Sequence, residues 1–160
     1  MPTNRTPTID PTRLWRSIEE MGRIGGLPNG GCNRQALTSV DKDGRDLFAR
    51  WCEAAGAEMR VDRFGNQFAL RRGTAPELPI VVTGSHLDTQ PKGGRFDGVY
   101  GVLAGLEVLR ALADAKIETK RTIAVVNWTN EEGCRIISGC TGSGGFAGSI
   151  PPDEALGTRS

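Results

Sequence analysis

Apolar residues fall at helical spacing in some stretches of this chain and in short, strand-like runs in others. Asp10-Pro11 reads as an N-cap followed by proline at the first helical position, and Leu14, Ile18 and Met21 continue at helical spacing. Gly25 to Asn33 is rich in Gly and Asn and reads as a loop. Asp41 or Asp43 can start a second helix, with Leu47, Phe48, Trp51, Cys52 and Ala55 as its apolar stripe and Gly56 where a C-terminal cap belongs. Met59 and Val61 alternate with Glu58 and Arg60, Gly65-Asn66 marks a turn, and Gln67 to Leu70 returns as a hairpin partner. Thr74 to Pro79 is a connector. Ile80 to Thr83 fits a short buried strand, Gly84 to Gly98 a long Gly-rich loop, Val99 to Leu112 a strong helix, and Thr122 to Trp128 a second buried strand. The remainder, from Thr129, reads as loop with a short helix near Ser143 to Ala147. Strand, loop, helix and strand make a βαβ unit, so the expected fold is α/β, a mainly parallel sheet flanked by helices.

Composition narrows the function classes. The 160 residues fit one domain, and 38% hydrophobic with 24% charged residues is ordinary for a globular protein. The formal net charge of +1, with Lys and Arg spread along the chain, argues against a nucleic-acid partner. No run is apolar and long enough to span a bilayer, and Met1 to Pro11 lacks the apolar core of a secretion signal, so no membrane partner and a cytoplasmic location are expected. Cys32, Cys52, Cys134 and Cys140 contain no C-x-x-C spacing and are expected to be reduced, with Cys52 in the core.

The chemistry concentrates in two loops. Each follows a strand and so lies at the carboxyl end of the sheet, where open α/β sheets place ligands. The first reads Gly84-Ser85-His86-Leu87-Asp88-Thr89, then Gly93-Gly94-Arg95-Phe96-Asp97-Gly98. His86 offers a good metal-ligand nitrogen. Asp88 is close enough to accept the other imidazole N–H, which would fix the tautomer. Asp97, just before the long helix, has two oxygens that can bridge two metal ions. The second loop reads Asn127-Trp128-Thr129-Asn130-Glu131-Glu132-Gly133. Adjacent carboxylates repel unless their roles divide: one glutamate binds metal and the other takes a proton from water. Taken singly, a lone histidine or a Glu-Glu pair is more often structural or solvated. Gly98, Gly101 and Gly105 read as helix-packing glycines, since they lack phosphate-loop spacing and Asp97 would face the phosphates. The joint pattern, H-x-D, G-G-x-F-D-G, helix, strand, N-E-E-G, points to a metal site.

Two runs, "GSHLDTQPKGGRFDGVYGVLAGLEVLRAL" from Gly84 and "NWTNEEGCR" from Asn127, resemble the carbamoylase branch of the aminoacylase and carboxypeptidase-like zinc hydrolases. That branch includes N-carbamoyl-L-amino-acid hydrolase, β-ureidopropionase and allantoate amidohydrolase. "ALTSVDKDGRDLFARWCEAAG" and "VDRFGNQFALRRG" fit it too. The resemblance implies that His86, Asp97 and Glu132 are metal ligands, Asp97 the bridging one. It makes Glu131 the general base and Asp88 the partner of His86. It implies two divalent metal ions, zinc first, with manganese, cobalt or nickel as alternatives. The implied reaction is hydrolysis of an N-carbamoyl-L-amino acid, a small ureido substrate, to the amino acid, ammonia and carbon dioxide, in a homodimer. It also suggests a cis Asp97–Gly98 peptide. The family pattern needs two further histidines and an inserted dimerisation and substrate domain. His86 is the single histidine of the chain. The chain is therefore expected to be the N-terminal part of an incomplete catalytic domain, inactive alone. An inactive module, or a sister amidohydrolase or peptidase activity, is the competing expectation. After Glu132 the run Cys134 and Ile136 to Thr141 departs from the family pattern, and "GSGGFAG" returns to it.

Overall fold

The computed structural model describes residues 6–136 and 138–157. Helix α1 spans Pro11–Arg23, capped by the Asp10 carboxylate, which accepts from the Thr12 and Arg13 amides. Helix α2 spans Ser39–Ala54. Its cap is Thr38 rather than Asp41 or Asp43: the Thr38 hydroxyl accepts from the Asp41 amide, and Asp41 in turn accepts from the Leu37 amide. These two bonds place Asp41 inside the first turn, tied to the cap residue and to the residue before it. Strands β1 (Glu58–Val61) and β2 (Gln67–Arg71) form the expected antiparallel hairpin. Strand β3 (Val81–His86), helix α3 (Val99–Asp114) and strand β4 (Ile123–Trp128) form the βαβ unit, with β3 and β4 parallel. Helices α4 (Thr141–Ala147) and α5 (Pro152–Gly157) complete the described chain; the sequence pattern anticipated only the first.

The α/β class with flanking helices is as expected, but the described sheet is mixed rather than mainly parallel. Its order is β1-β2-β4-β3. The hairpin lies beside β4, and its return strand β2 runs antiparallel to it, so β3 with β4 is the one parallel pairing of this sheet. A tight turn can join only antiparallel strands, whereas the long connection through α3 permits the parallel pair.

Helices α1, α2 and α3 cover one face. Ile18, Met21, Leu47, Phe48, Cys52, Ala69, Leu103, Leu106, Leu109 and Val125 make a continuous core there. Close packing of α3 on the sheet requires its glycines: a Cβ at Gly105 would lie 2.8 Å from Val125 Cγ1, and one at Gly101 2.8 Å from Ser85 Cβ. Cys52 is fully buried, and desolvation pushes its thiol up to about 12. The expectation that Ile80 to Thr83 is a buried strand fails. Ile80, Val81 and Val82 are each nearly half exposed, because β3 is an edge strand of the described sheet. The other face presents Phe68, Leu70, Val82 and Ala124 around an open hollow of about 420 Å³ beside Phe146.

Candidate metal centre

Register sets the site. His86 is the last residue of β3 and pairs with Trp128, the last residue of β4, so both chemistry-bearing loops leave the sheet at the same end. His86 is 5% exposed. Its Nδ1 lies 2.9 Å from the Asp88 main-chain carbonyl, which can only accept, so Nδ1 carries a proton; in the neutral ring the free lone pair is then that of Nε2. Nε2 faces Glu131 Oε2 at 3.3 Å and Asp97 Oδ1 at 3.9 Å. His86, Glu131 and Glu132 each bring one potential ligand atom within 4.8 Å of the others.

The sequence reading assigned Asp88 to the imidazole through its carboxylate. The structure gives that contact to the Asp88 carbonyl instead; the carboxylate stands 3.7 Å from Nδ1, beyond hydrogen-bond reach. Its two oxygens accept from the main-chain amides of Glu131, at 3.3 Å, and Glu132, at 3.1 Å. Asp88 thereby holds both loops, one by its carbonyl and the other by its carboxylate. Burial raises its pKa, opposed first by the Glu132 amide and then by His86. Glu132 Oε2 also accepts from Gln90 Nε2 at 2.9 Å, a contact across the loops that the sequence did not announce.

Asp97 carries an exposed carboxylate at the threshold of α3. The expected cis bond to Gly98 is absent: no cis peptide occurs among the described residues. Gly98 turns the chain through its own dihedrals, φ 65° and ψ −49°, a region that side chains disfavour. A Cβ there would also sit 2.5 Å from the His86 ring atoms Cε1 and Nε2. The glycine thus makes room for the imidazole beside Asp97.

Asn130 holds the second loop. At φ 53° it donates from Nδ2 to the Ile136 and Ser138 carbonyls and to the Thr141 hydroxyl. Asn tolerates this left-handed conformation better than most residues. Cys140 Sγ lies 3.7 Å from Glu131 Oε1, and Cys134 contacts the Glu132 carbonyl. Desolvation, reinforced by the carboxylates, raises the pKa of both thiols, so they remain protonated at neutral pH.

An imidazole whose Nε2 is turned towards carboxylates, with a glycine cradle behind it, is a donor set that fits a divalent cation, whose affinity for imidazole and carboxylate donors is general. Such a donor set at the carboxyl end of an α/β sheet stands where open α/β sheets place ligands. Comparison with known proteins agrees. Residues 82–158 match Peptidase family M20/M25/M40. The chain is 54% identical over 140 residues to an N-carbamoyl-L-amino-acid amidohydrolase of Rhizobium meliloti, covering 88% of this chain and 34% of that protein. It is 39% identical over 150 residues to one from Pseudomonas, covering 94% and 36%. A crystal structure of a hydantoinase/carbamoylase family amidase from Burkholderia ambifaria superposes with a TM-score of 0.95 at 54% identity, covering 98% of this chain and 38% of that one. Residues 82–158 thus form part of a Peptidase family M20/M25/M40 domain, and the chain as a whole is similar to these carbamoylase-type amidases. It spans about a third of the length of the curated relatives it matches.

Proposed function

We propose that this chain is the N-terminal part of the metal-binding catalytic domain of a longer amidohydrolase. The proposed reaction converts N-carbamoyl-L-amino acids to the amino acid, ammonia and carbon dioxide. The observation that carries the reading is the convergence of His86, Glu131 and Glu132 on one point at the shared end of two parallel strands. In this reading His86, Asp97 and Glu132 would hold the two divalent ions, zinc in the first place. The bound metal supplies a Lewis acid for the ureido carbonyl and lowers the pKa of water. Glu131 accepts a proton from the attacking water and returns it to the departing nitrogen. Its Oε2 is already 3.3 Å from Nε2 of His86, at the mouth of the site. Asp88 keeps the Nδ1–H tautomer of His86 through its carbonyl and holds both glutamates through their amides.

The partner is therefore a small ureido molecule, not nucleic acid or membrane. No described helix is long and apolar enough to cross a bilayer. A cytoplasmic homodimer, with an inserted domain for substrate and dimer contacts, is proposed for the longer enzyme. The test is ammonia release from an N-carbamoyl-L-amino acid by a full-length protein containing this segment. Release should need divalent metal, and Glu131→Gln should lower kcat by about 10²- to 10⁴-fold with metal retained. The 160-residue chain should show no turnover and only weak zinc binding by calorimetry, since a zinc site usually takes at least three protein ligands. Metal-loaded full-length protein inert towards every carbamoyl amino acid would sink the substrate assignment.

A further inference from the structure

We propose that Arg34 is a positioning residue for the candidate metal centre, clamping both sides of Asp88 and acting through it on His86, Glu131 and Glu132. Arg34 is fully buried. Its Nε donates to the Leu87 carbonyl at 2.8 Å. Its amide donates to the Thr89 hydroxyl at 2.8 Å, and its carbonyl accepts from the Thr89 amide at 2.9 Å. Leu87 and Thr89 are the two neighbours of Asp88, so Arg34 fixes the peptide planes on either side of the residue that joins the two loops.

The clamp is anchored elsewhere. Arg34 Nη1 donates to the Met21 carbonyl at 3.0 Å and the Ile24 carbonyl at 2.6 Å, at the C-terminal end of α1. A cation there is favoured by the helix dipole, which compensates a buried charge whose hydrogen bonds reach no carboxylate. The rest of the structure accommodates it. A Cβ at Gly44, inside α2, would come within 2.8 Å of Arg34 Cδ, so the absent side chain gives the arginine its space. Burial lowers the Arg34 pKa, while the charges of Asp41 and Asp88 act the other way. An apolar side chain could fill this volume without a desolvation cost. Only a multi-donor group satisfies the Leu87 carbonyl and the end of α1 together.

This inference rests on the metal-site reading, and the experiment separates the two. Because the chain has a single histidine, the ring nitrogens of the 15N-labelled protein report His86 without ambiguity. Two variants are compared with the unsubstituted chain. Arg34→Lys keeps the charge but cannot serve both sets of carbonyls. Gly44→Ala pushes on Arg34 Cδ while raising the helix propensity of α2, so a loss it causes is not a loss of helix. In both, the Nδ1–H tautomer of His86 should lose population, and amide exchange at Glu131 and Glu132 should accelerate. The acceleration should be at least about tenfold for Arg34→Lys, about 1.4 kcal/mol. The β1–β2 hairpin amides should stay as they are. Should Arg34→Lys fail to fold, Gly44→Ala decides alone. An unchanged tautomer with unchanged Glu131 and Glu132 exchange overturns the proposal. So does uniform acceleration of all amides, the mark of a merely structural residue. Histidine ring signals of the unsubstituted chain that ignore zinc even at the millimolar concentrations that fill a weak site would instead remove the metal reading beneath it.

Discussion

Replacing Asp88 by Asn tests the joint between the two loops. The wild-type carboxylate accepts two main-chain donors, Glu132 N at 3.1 Å and Glu131 N at 3.3 Å. An asparagine has one acceptor oxygen, and its NH2 group would face the other amide, donor against donor. The longer bond, to Glu131, is the weaker and should be the one given up. Leaving one buried N–H unsatisfied costs about 1–3 kcal/mol. Two effects oppose this loss. Asp88 is only 3% exposed and its pKa is raised by burial, so a neutral amide is desolvated more cheaply. The substituted side chain, being uncharged, would also no longer repel the neighbouring glutamates. A net local loss of about 1–2 kcal/mol remains, which is a factor of about 5–30 in the opening equilibrium. Hydrogen exchange followed amide by amide reads that factor directly. Glu131 should exchange faster by that amount and Glu132 by less, with β1 and β2 unaffected. Equal protection of Glu131 in both proteins would mean that the carboxylate does not hold this loop.

Gly98→Ala should destabilise the chain by more than about 2 kcal/mol in urea denaturation. The γ-turn backbone at φ 65° and ψ −49° alone costs a side chain about 1–3 kcal/mol, and the new Cβ meets the His86 ring at 2.5 Å; a change under half that size would show that the loop relaxes freely. Asp41 predicts a pH effect. Desolvation raises its folded pKa above the unfolded value, so its contribution is fully present below the unfolded pKa and is lost as pH rises through the folded one. Asp41→Asn, whose amide oxygen can still accept from Leu37, should therefore flatten the fall in urea midpoint between the carboxylate range and pH 7. Parallel pH profiles for the two proteins would refute that assignment.

The helices were legible because period, caps and breakers coincided. Asp10-Pro11 opens α1, and the Val99, Val102, Leu103, Leu106 and Leu109 stripe is the buried face of α3. The hairpin and the βαβ unit were legible for the same reason. Sheet order was not, because nothing local to Gln67–Arg71 says that it will lie beside β4 rather than β3. Neither was the exposure of Ile80 to Val82, since an apolar run looks alike in a central strand and in an edge strand. At the candidate site, His86, Asp97, Glu131 and Glu132 stood out as a joint motif, because donor residue types recur just after two successive strands. The carbonyl of Asp88 did not, since every residue has one and only the fold aims it. Arg34 was equally silent: an arginine beside a Gly- and Asn-rich loop reads as solvated, and its burial appears only when α1, α2 and the His86 loop close on it.

The electrostatics of the site also bear on its order. The carboxyl groups of Asp88, Asp97 and Glu131 each come within 4.0 Å of one imidazole, and Glu132 joins the same cluster. Such a gathering is unfavourable on its own, and in the described structure it is held by neutral restraints and by the Arg34 charge behind Asp88. A divalent cation would reverse the sign of that interaction in the folded chain and leave the unfolded chain almost unaffected. Under such linkage, free metal at 100 times its dissociation constant adds about 2.7 kcal/mol to stability. The loops that carry the proposed ligands are the segments whose opening separates the like charges, so they should take up most of that gain. Weakening Asp88 or Arg34 therefore acts on metal affinity by lowering the fraction of chains in which the donors are already assembled. Loop order and metal affinity are then one quantity, measured by exchange from one side and by calorimetry from the other.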